Sequence, residues 1–183
     1  MLFPLRFRPK QSYHERPRCF GAPRDHGRRS HAGCDLYAPI GTPVLAVADG
    51  TVLAVYDFYL TTWAVEVDHG AFIVRYGEVT RSIPSGVKPG HKVSRGQVVG
   101  HVGRLAGLNF SMLHFEMYSG AKTGPLTNRA RKPFMRRADL IDPTRHLDAA
   151  VLDTGGSATF TGPFFSIYRS GSLQSMPWLF TLP

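Results

Sequence analysis

Three side chains with metal affinity stand in two short segments: His31 and Asp35 in HAGCD, and His114 in MLHFE. Two imidazoles and one carboxylate suit a zinc ion that keeps one coordination position open for water, which is the arrangement of a hydrolytic metal centre. The chain holds eight histidines, so the spacing acquires weight only from the elements that carry it. In Met112–Tyr118, period-two alternation puts Leu113, Phe115 and Met117 on one face of a strand and Met112, His114, Glu116 and Tyr118 on the other. The first set is a core face. His114 then points with Glu116 into a groove, where a carboxylate can orient an imidazole from behind.

The elements that must position these residues read as short antiparallel strands. Pro43–Ala48, Thr51–Phe58, Thr62–Asp68 and Ala71–Tyr76 are β-rich runs separated by Asp49-Gly50, a Leu60-Thr61 corner and His69-Gly70, which is hairpin punctuation. Trp63, Val65 and Val67 alternate with Ala64, Glu66 and Asp68, as in a strand with one buried face. Two turn-rich stretches, Val87–Gly90 and Ser94–Gln97, lead into a further strand at Val98–Val102, and a short helix or turn is expected near Ala138–Leu147.

HAGCDLYAPIGTPVLAVADGTVLAVY, VEVDHGAFIVRYGEV, KPGHKVSRGQVVGHVG and SMLHFEMY resemble, in order from about Phe20 to Tyr118, the successive signatures of the M23 (LytM or lysostaphin-like) zinc metallopeptidases. The resemblance implies an all-β fold, antiparallel strands forming a small barrel-like or sandwich groove with a duplicated hybrid motif. It implies Zn2+ as cofactor, His31, Asp35 and His114 as its ligands, and peptide cross-links of bacterial peptidoglycan as substrate. Two positions depart from the family pattern. Met112 stands where the metal strand usually carries a first histidine, and Glu78 follows Tyr76-Gly77 where a second non-ligand histidine is usual.

Glu78 can replace the missing histidine as general base, taking a proton from water whose pKa the metal has lowered toward about 7. That is the leading expectation: a zinc-dependent endopeptidase acting on peptidoglycan, with Glu78 catalytic. The alternative is a catalytically inactive domain that binds cell wall or regulates a partner hydrolase, because Met112 can neither move a proton nor donate a hydrogen bond to an oxyanion. Alternation puts Glu78 on the face of Val74 and Tyr76 if extended geometry continues through Gly77. Tyr76 and Ser111 are candidates for positioning substrate, and His26 is the substitute base if Glu78 is not.

Bulk properties frame the rest. A chain of 183 residues with 43% hydrophobic and 19% charged residues can bury one substantial core. No apolar run of about 18 residues suggests a membrane span, and arginines interrupt the N-terminus where a signal peptide would be apolar. Action in the periplasm or extracellular wall therefore calls for a specialised export route, with a secretion-apparatus or immunity partner; otherwise the protein is cytoplasmic. The net charge of +9 is concentrated in residues 1–30, with eight Lys/Arg against two acids, and 121–145, with seven against two. Such a surface suits anionic wall polymers; no nucleic-acid-binding motif accompanies it, so nucleic acid is not an expected partner. The two cysteines, Cys19 and Cys34, are expected as thiols, with a disulfide between them as the alternative. The organisation expected is a basic irregular arm over 1–30, the zinc domain over 31–120, a basic loop and short helix over 121–149, and a low-charge, poorly ordered tail over 150–183.

Overall fold

The computed structural model describes residues 1–153; the tail expectation falls almost entirely outside the described residues. In chain order the strands are β1 Pro23–Arg24, β2 Arg29–Ser30, β3 Cys34–Tyr37, β4 Pro43–Leu45, β5 Gly50–Asp57, β6 Trp63–Asp68, β7 Ile73–Val79, β8 Lys92–Val93, β9 Val98–His101, β10 Met112–Tyr118 and β11 Leu140–Ile141. One short helix, α1 (Thr144–Asp148), follows. The fold is all-β and antiparallel. The main sheet runs β11-β10-β7-β6-β5-β8, with β3 also on β10, while β1–β2 and β4–β9 form separate ribbons. The sheet is open among the described residues, so the barrel-like expectation resolves to an open, groove-forming sheet.

Alternation explains which side of the sheet is dry. Val65 and Val67 of β6, Val74 and Tyr76 of β7, and Leu113, Phe115 and Met117 of β10 face one cluster, which Val44 and Val99 from the β4–β9 ribbon close from the other side. Apolar burial of this kind stabilises by about 25 cal/mol per Å², and the β-branched residues suit the pleat. The N-terminal segment has little regular structure, as its prolines require, yet Phe3 and Leu5 are fully buried in the same cluster. Backbone bonds seat it: Leu45 N–H donates to the Pro4 carbonyl at 2.9 Å and Leu2 N–H to Val47 at 2.8 Å. Arg8 closes the arm onto the helix end by donating to the Leu147 and Ala150 carbonyls.

One irregularity matters for function. Between β6 and β7 the register passes from Trp63↔Val79 to Val65↔Tyr76, so β7 carries one extra residue there. This is a β-bulge, a device that re-aims a side chain. It falls on Gly77-Glu78, and Glu78 takes φ +63°, a left-handed conformation that few non-glycine residues adopt.

Candidate metal centre and its groove

The metal candidates meet because their strands pair in register. His114 lies directly opposite Asp35 on β3 and opposite Gly77 on β7. His31 is brought back by the loop before β3, whose first residue donates its N–H to the Ala22 carbonyl at 2.8 Å. Gly33 makes the return feasible: a Cβ there would sit 2.3 Å from the Phe115 carbonyl oxygen, so no other residue lets the loop lie this close to β10.

Three ligand-type atoms converge as a result. His31 Nε2, His114 Nδ1 and Asp35 Oδ1 are separated by 3.1, 2.9 and 3.0 Å, and all three residues are buried. Adjacent ligands of a tetrahedral zinc with bonds of about 2.0–2.1 Å lie roughly 3.3 Å apart, so the triangle needs only a small expansion to hold that ion. The outer hydrogen bonds fix the tautomers this requires. Nδ1–H of His31 donates to the Cys19 carbonyl at 2.8 Å, which leaves Nε2 as a lone pair. His114 Nε2–H donates to Glu116 Oε1 at 2.9 Å, so that Nδ1 is the nitrogen freed as a lone pair when the ring is neutral. The second oxygen of Asp35 accepts from Arg24 Nη2 at 3.0 Å. Each inner residue thus has a partner behind it, the arrangement that orients metal-binding side chains.

A second cross-strand row lies beside the first. Glu66, Arg75 and Glu116 stand opposite one another on β6, β7 and β10, with Arg75 donating to Glu66 at 3.0 Å and to Glu116 at 2.8 Å. Arg136 and Tyr118 also bond Glu116, so this carboxylate accepts from four donors with no solvent exposure. Burial works against its charge, but Arg75 and the other donors hold its carboxyl well below the usual range. Ionised, it is a strong acceptor for the His114 ring. His114 therefore sits between two carboxylates: burial disfavours its cation, yet the bonds to Asp35 and Glu116 outweigh that and hold it up at about 10. Burial pushes His31 down, toward the neutral form. Ligation requires the neutral ring, so a divalent cation binding here displaces the His114 proton.

Glu78 reaches the same groove by a route that alternation does not foresee. Val74 and Tyr76 face the core, and Tyr76 accepts the Val47 N–H at 3.0 Å deep inside it. The bulge turns Glu78 off that face, and its side chain lines the groove with His31, Asp35, Met112 and His114. The expectation that Glu78 shares the face of Tyr76 is corrected here, and Tyr76 is removed as a substrate-positioning residue. Ser111 also has a structural task, donating to the Ala38 carbonyl at 2.7 Å. His26 is exposed and does not line the groove. Burial raises the Glu78 carboxyl to about 7, and its Oε2 is buried without a hydrogen-bond partner. Glu78 is absent from the group of ligand atoms that lie within 4.8 Å of one another, so it stands beside the triangle and not in it.

The groove encloses about 850 Å³, the range of sites that bury a substantial ligand. Tyr37 and Phe110 stack at 5.4 Å along it, and Phe58 packs 5.9 Å from the His114 ring. Cys34 is buried and its Sγ contacts Thr144 Oγ1 at 3.6 Å, while Cys19 contributes its carbonyl; both cysteines are free.

The model of Peptidase family M23 matches residues 29–126. The chain belongs to this family. Peptidoglycan DD-endopeptidase ShyA of Vibrio cholerae serotype O1 is 35% identical over 88 residues, which are 48% of this chain and 20% of that protein. The chain thus spans about a fifth of the length of that curated relative. Among solved structures, a zinc-containing peptidase from Vibrio cholerae superposes with a TM-score of 0.52 at 24% identity, over 82% of this chain and 41% of that one. The catalytic domain of the antimicrobial peptidase lysostaphin from Staphylococcus simulans superposes with a TM-score of 0.53 at 22% identity, over 72% of this chain and 90% of that one. These likenesses show the M23 fold. Arg24 and Arg136, which brace Asp35 and Glu116, lie outside the matched residues, in the two segments where the positive charge is concentrated.

Proposed function

We propose that this M23 protein is a zinc-dependent endopeptidase that cuts peptide cross-links of bacterial peptidoglycan, acting in the periplasm or extracellular cell wall. The observation that carries the reading is the triangle of His31 Nε2, His114 Nδ1 and Asp35 Oδ1, with each apex held by a partner behind it. The naming of ShyA as a peptidoglycan DD-endopeptidase supports the substrate, and the zinc named in the Vibrio structure supports the metal. When bound, zinc supplies a Lewis acid that polarises the scissile carbonyl and acidifies water. Asp35 and the two histidines hold it, and the ionised Glu116 keeps the His114 ring in the required tautomer.

Glu78 is the general base. Its unpartnered Oε2 takes a proton from the attacking water and returns it to the departing amine nitrogen, so the peptide bond is replaced by a carboxylic acid and an amine. A carboxyl raised to about 7 is matched to both halves of that exchange near neutral pH. The buried Met112, in the groove beside His114, favours a second reading, a silent wall-binding or regulatory module, since a thioether offers no proton to a developing oxyanion.

Digestion of purified peptidoglycan with mass analysis separates the two. The endopeptidase reading expects new amine termini from cross-linked dimers, lost on chelation and restored by zinc. Intact dimers after prolonged incubation of the zinc-loaded protein leave the binding reading.

A further inference from the structure

The mouth of the groove carries a hairpin whose local energetics are unfavourable as it stands. β1 and β2 are two residues each, and their register sets Arg24 directly opposite Arg29. Like charges at opposite positions of an antiparallel pair repel. The turn that joins them holds Asp25 at φ +50° and His26 at φ +53°, followed by Gly27 at +84°, two non-glycine residues in the left-handed region. Neighbouring acids do not relieve Arg29. Asp25 pairs with Arg28 at 2.6 Å and Asp35 with Arg24 at 3.0 Å, and no acid pairs with Arg29 among the described residues.

A second arginine stands on the same wall. Ser30 N–H donates to the Pro133 carbonyl at 3.0 Å, and Phe20 stacks on Phe134 at 4.8 Å, which join the hairpin to the 127–136 segment. Arg129, on that segment, also lines the groove and has no acidic partner among the described residues. Two guanidinium forks thus line a peptide-sized groove without an acidic partner among the described residues, in the same groove as the metal candidates.

From this juxtaposition we propose that Arg29 and Arg129 form a carboxylate-binding subsite, which selects cross-linked peptides bearing a free carboxylate next to the scissile bond. The occupant follows from shape and charge: a planar carboxylate matches a guanidinium fork bidentately, and it supplies Arg29 with the counter-charge that Arg24 already has in Asp35. The proposal rests on the endopeptidase reading only in taking a wall peptide as the groove's ligand. It concerns residues that hold substrate, not residues that cleave it.

Binding measures it independently of turnover. The full chain, stripped of metal so that it cannot turn the peptide over, is titrated with a cross-linked dimeric stem peptide whose carboxylates are free, and with the same peptide carrying them as amides. The free-carboxylate peptide should bind at least about tenfold more tightly, the worth of one charge-assisted pair, and the preference should shrink at 1 M NaCl. Arg29→Gln should bring the two peptides to within about twofold of each other, leaving the amide's affinity unchanged. Arg129→Gln, at an exposed position that the fold does not need, should lower the preference in the same direction. Equal binding by the parent, or a preference that survives both substitutions, overturns the subsite. A preference without cleavage by the zinc-loaded chain keeps the subsite and removes the endopeptidase reading, whereas equal binding of both peptides, with equal cleavage by the zinc-loaded chain, does the reverse.

Discussion

At the residue scale the decisive feature is a carboxylate kept where solvent cannot satisfy it. Burial lifts Glu78 from an ordinary carboxyl pKa of 4.5 to about 7, and its Oε2 has no partner. The folded protein therefore holds this proton more tightly than the unfolded chain does. The contribution of Glu78 to stability is then largest below about 4.5 and falls as pH rises from there through about 7, because ionisation is easier in the unfolded state. A shift of this size corresponds to about 3 kcal/mol. In metal-free protein, Glu78→Gln should melt higher than the parent at pH 8, with the gap closing toward pH 4.5. Thermal unfolding followed at both pH values checks it; equal melting temperatures at pH 8 would show Glu78 solvated or paired. Such a cost is characteristic of functional sites, where activity is retained against stability. The position of Glu78 was legible from its place after Tyr76-Gly77, but its direction was not, since alternation knows nothing of a bulge with φ +63°.

At the scale of elements, the site is a product of strand register. The rows Asp35–His114–Gly77 and Glu116–Arg75–Glu66 exist because β3, β10, β7 and β6 pair without slippage at those positions. The seven residues of β10 were readable to the residue, because alternation is strict and His114 and Glu116 share a face. Glu116 reaches the His114 ring from two positions along the same strand at 2.9 Å, with Arg75 and Arg136 fixing its direction. The arginines were not readable as partners, since pairing across 41 and 20 positions leaves no local pattern. The close approach of the β3 loop yields a prediction of its own. Gly33→Ala places a methyl 2.3 Å from the Phe115 carbonyl, which must push the loop off β10. Overpacking of this kind costs about 1–3 kcal/mol, and here it also separates Asp35 from His114. Zinc content measured on the folded Gly33→Ala variant should fall well below that of the parent. Full zinc occupancy with unchanged melting would mean that the loop relaxes without disturbing the triangle.

At the scale of the whole molecule, the segments flanking the family core complete it. Prolines made the first thirty residues read as an irregular arm; they hold the short β1–β2 hairpin, and Phe3 and Leu5 are buried with Val74, Leu113 and Phe115. Apolar residues too few to make a periodic pattern gave no signal of burial. The same segment supplies the Cys19 carbonyl behind His31 and the Arg24 guanidinium behind Asp35, so the arm couples folding to the metal centre. Phe3→Ala should therefore destabilise by about 3–5 kcal/mol, as large-to-small core substitutions do, in denaturant unfolding of the zinc-free chain. A loss under about 1 kcal/mol would mark the arm as peripheral to the core.

The role of Glu78 is tested most directly by the rate at which zinc-loaded protein cleaves cross-linked dimers from purified peptidoglycan, compared between the parent and Glu78→Gln with metal content measured on the same samples. One zinc per chain is expected in both, and turnover in Glu78→Gln lower by about two to four orders of magnitude, the usual worth of a positioned base. Cleavage by Glu78→Gln at the parent's rate, with zinc in place, would contradict that role.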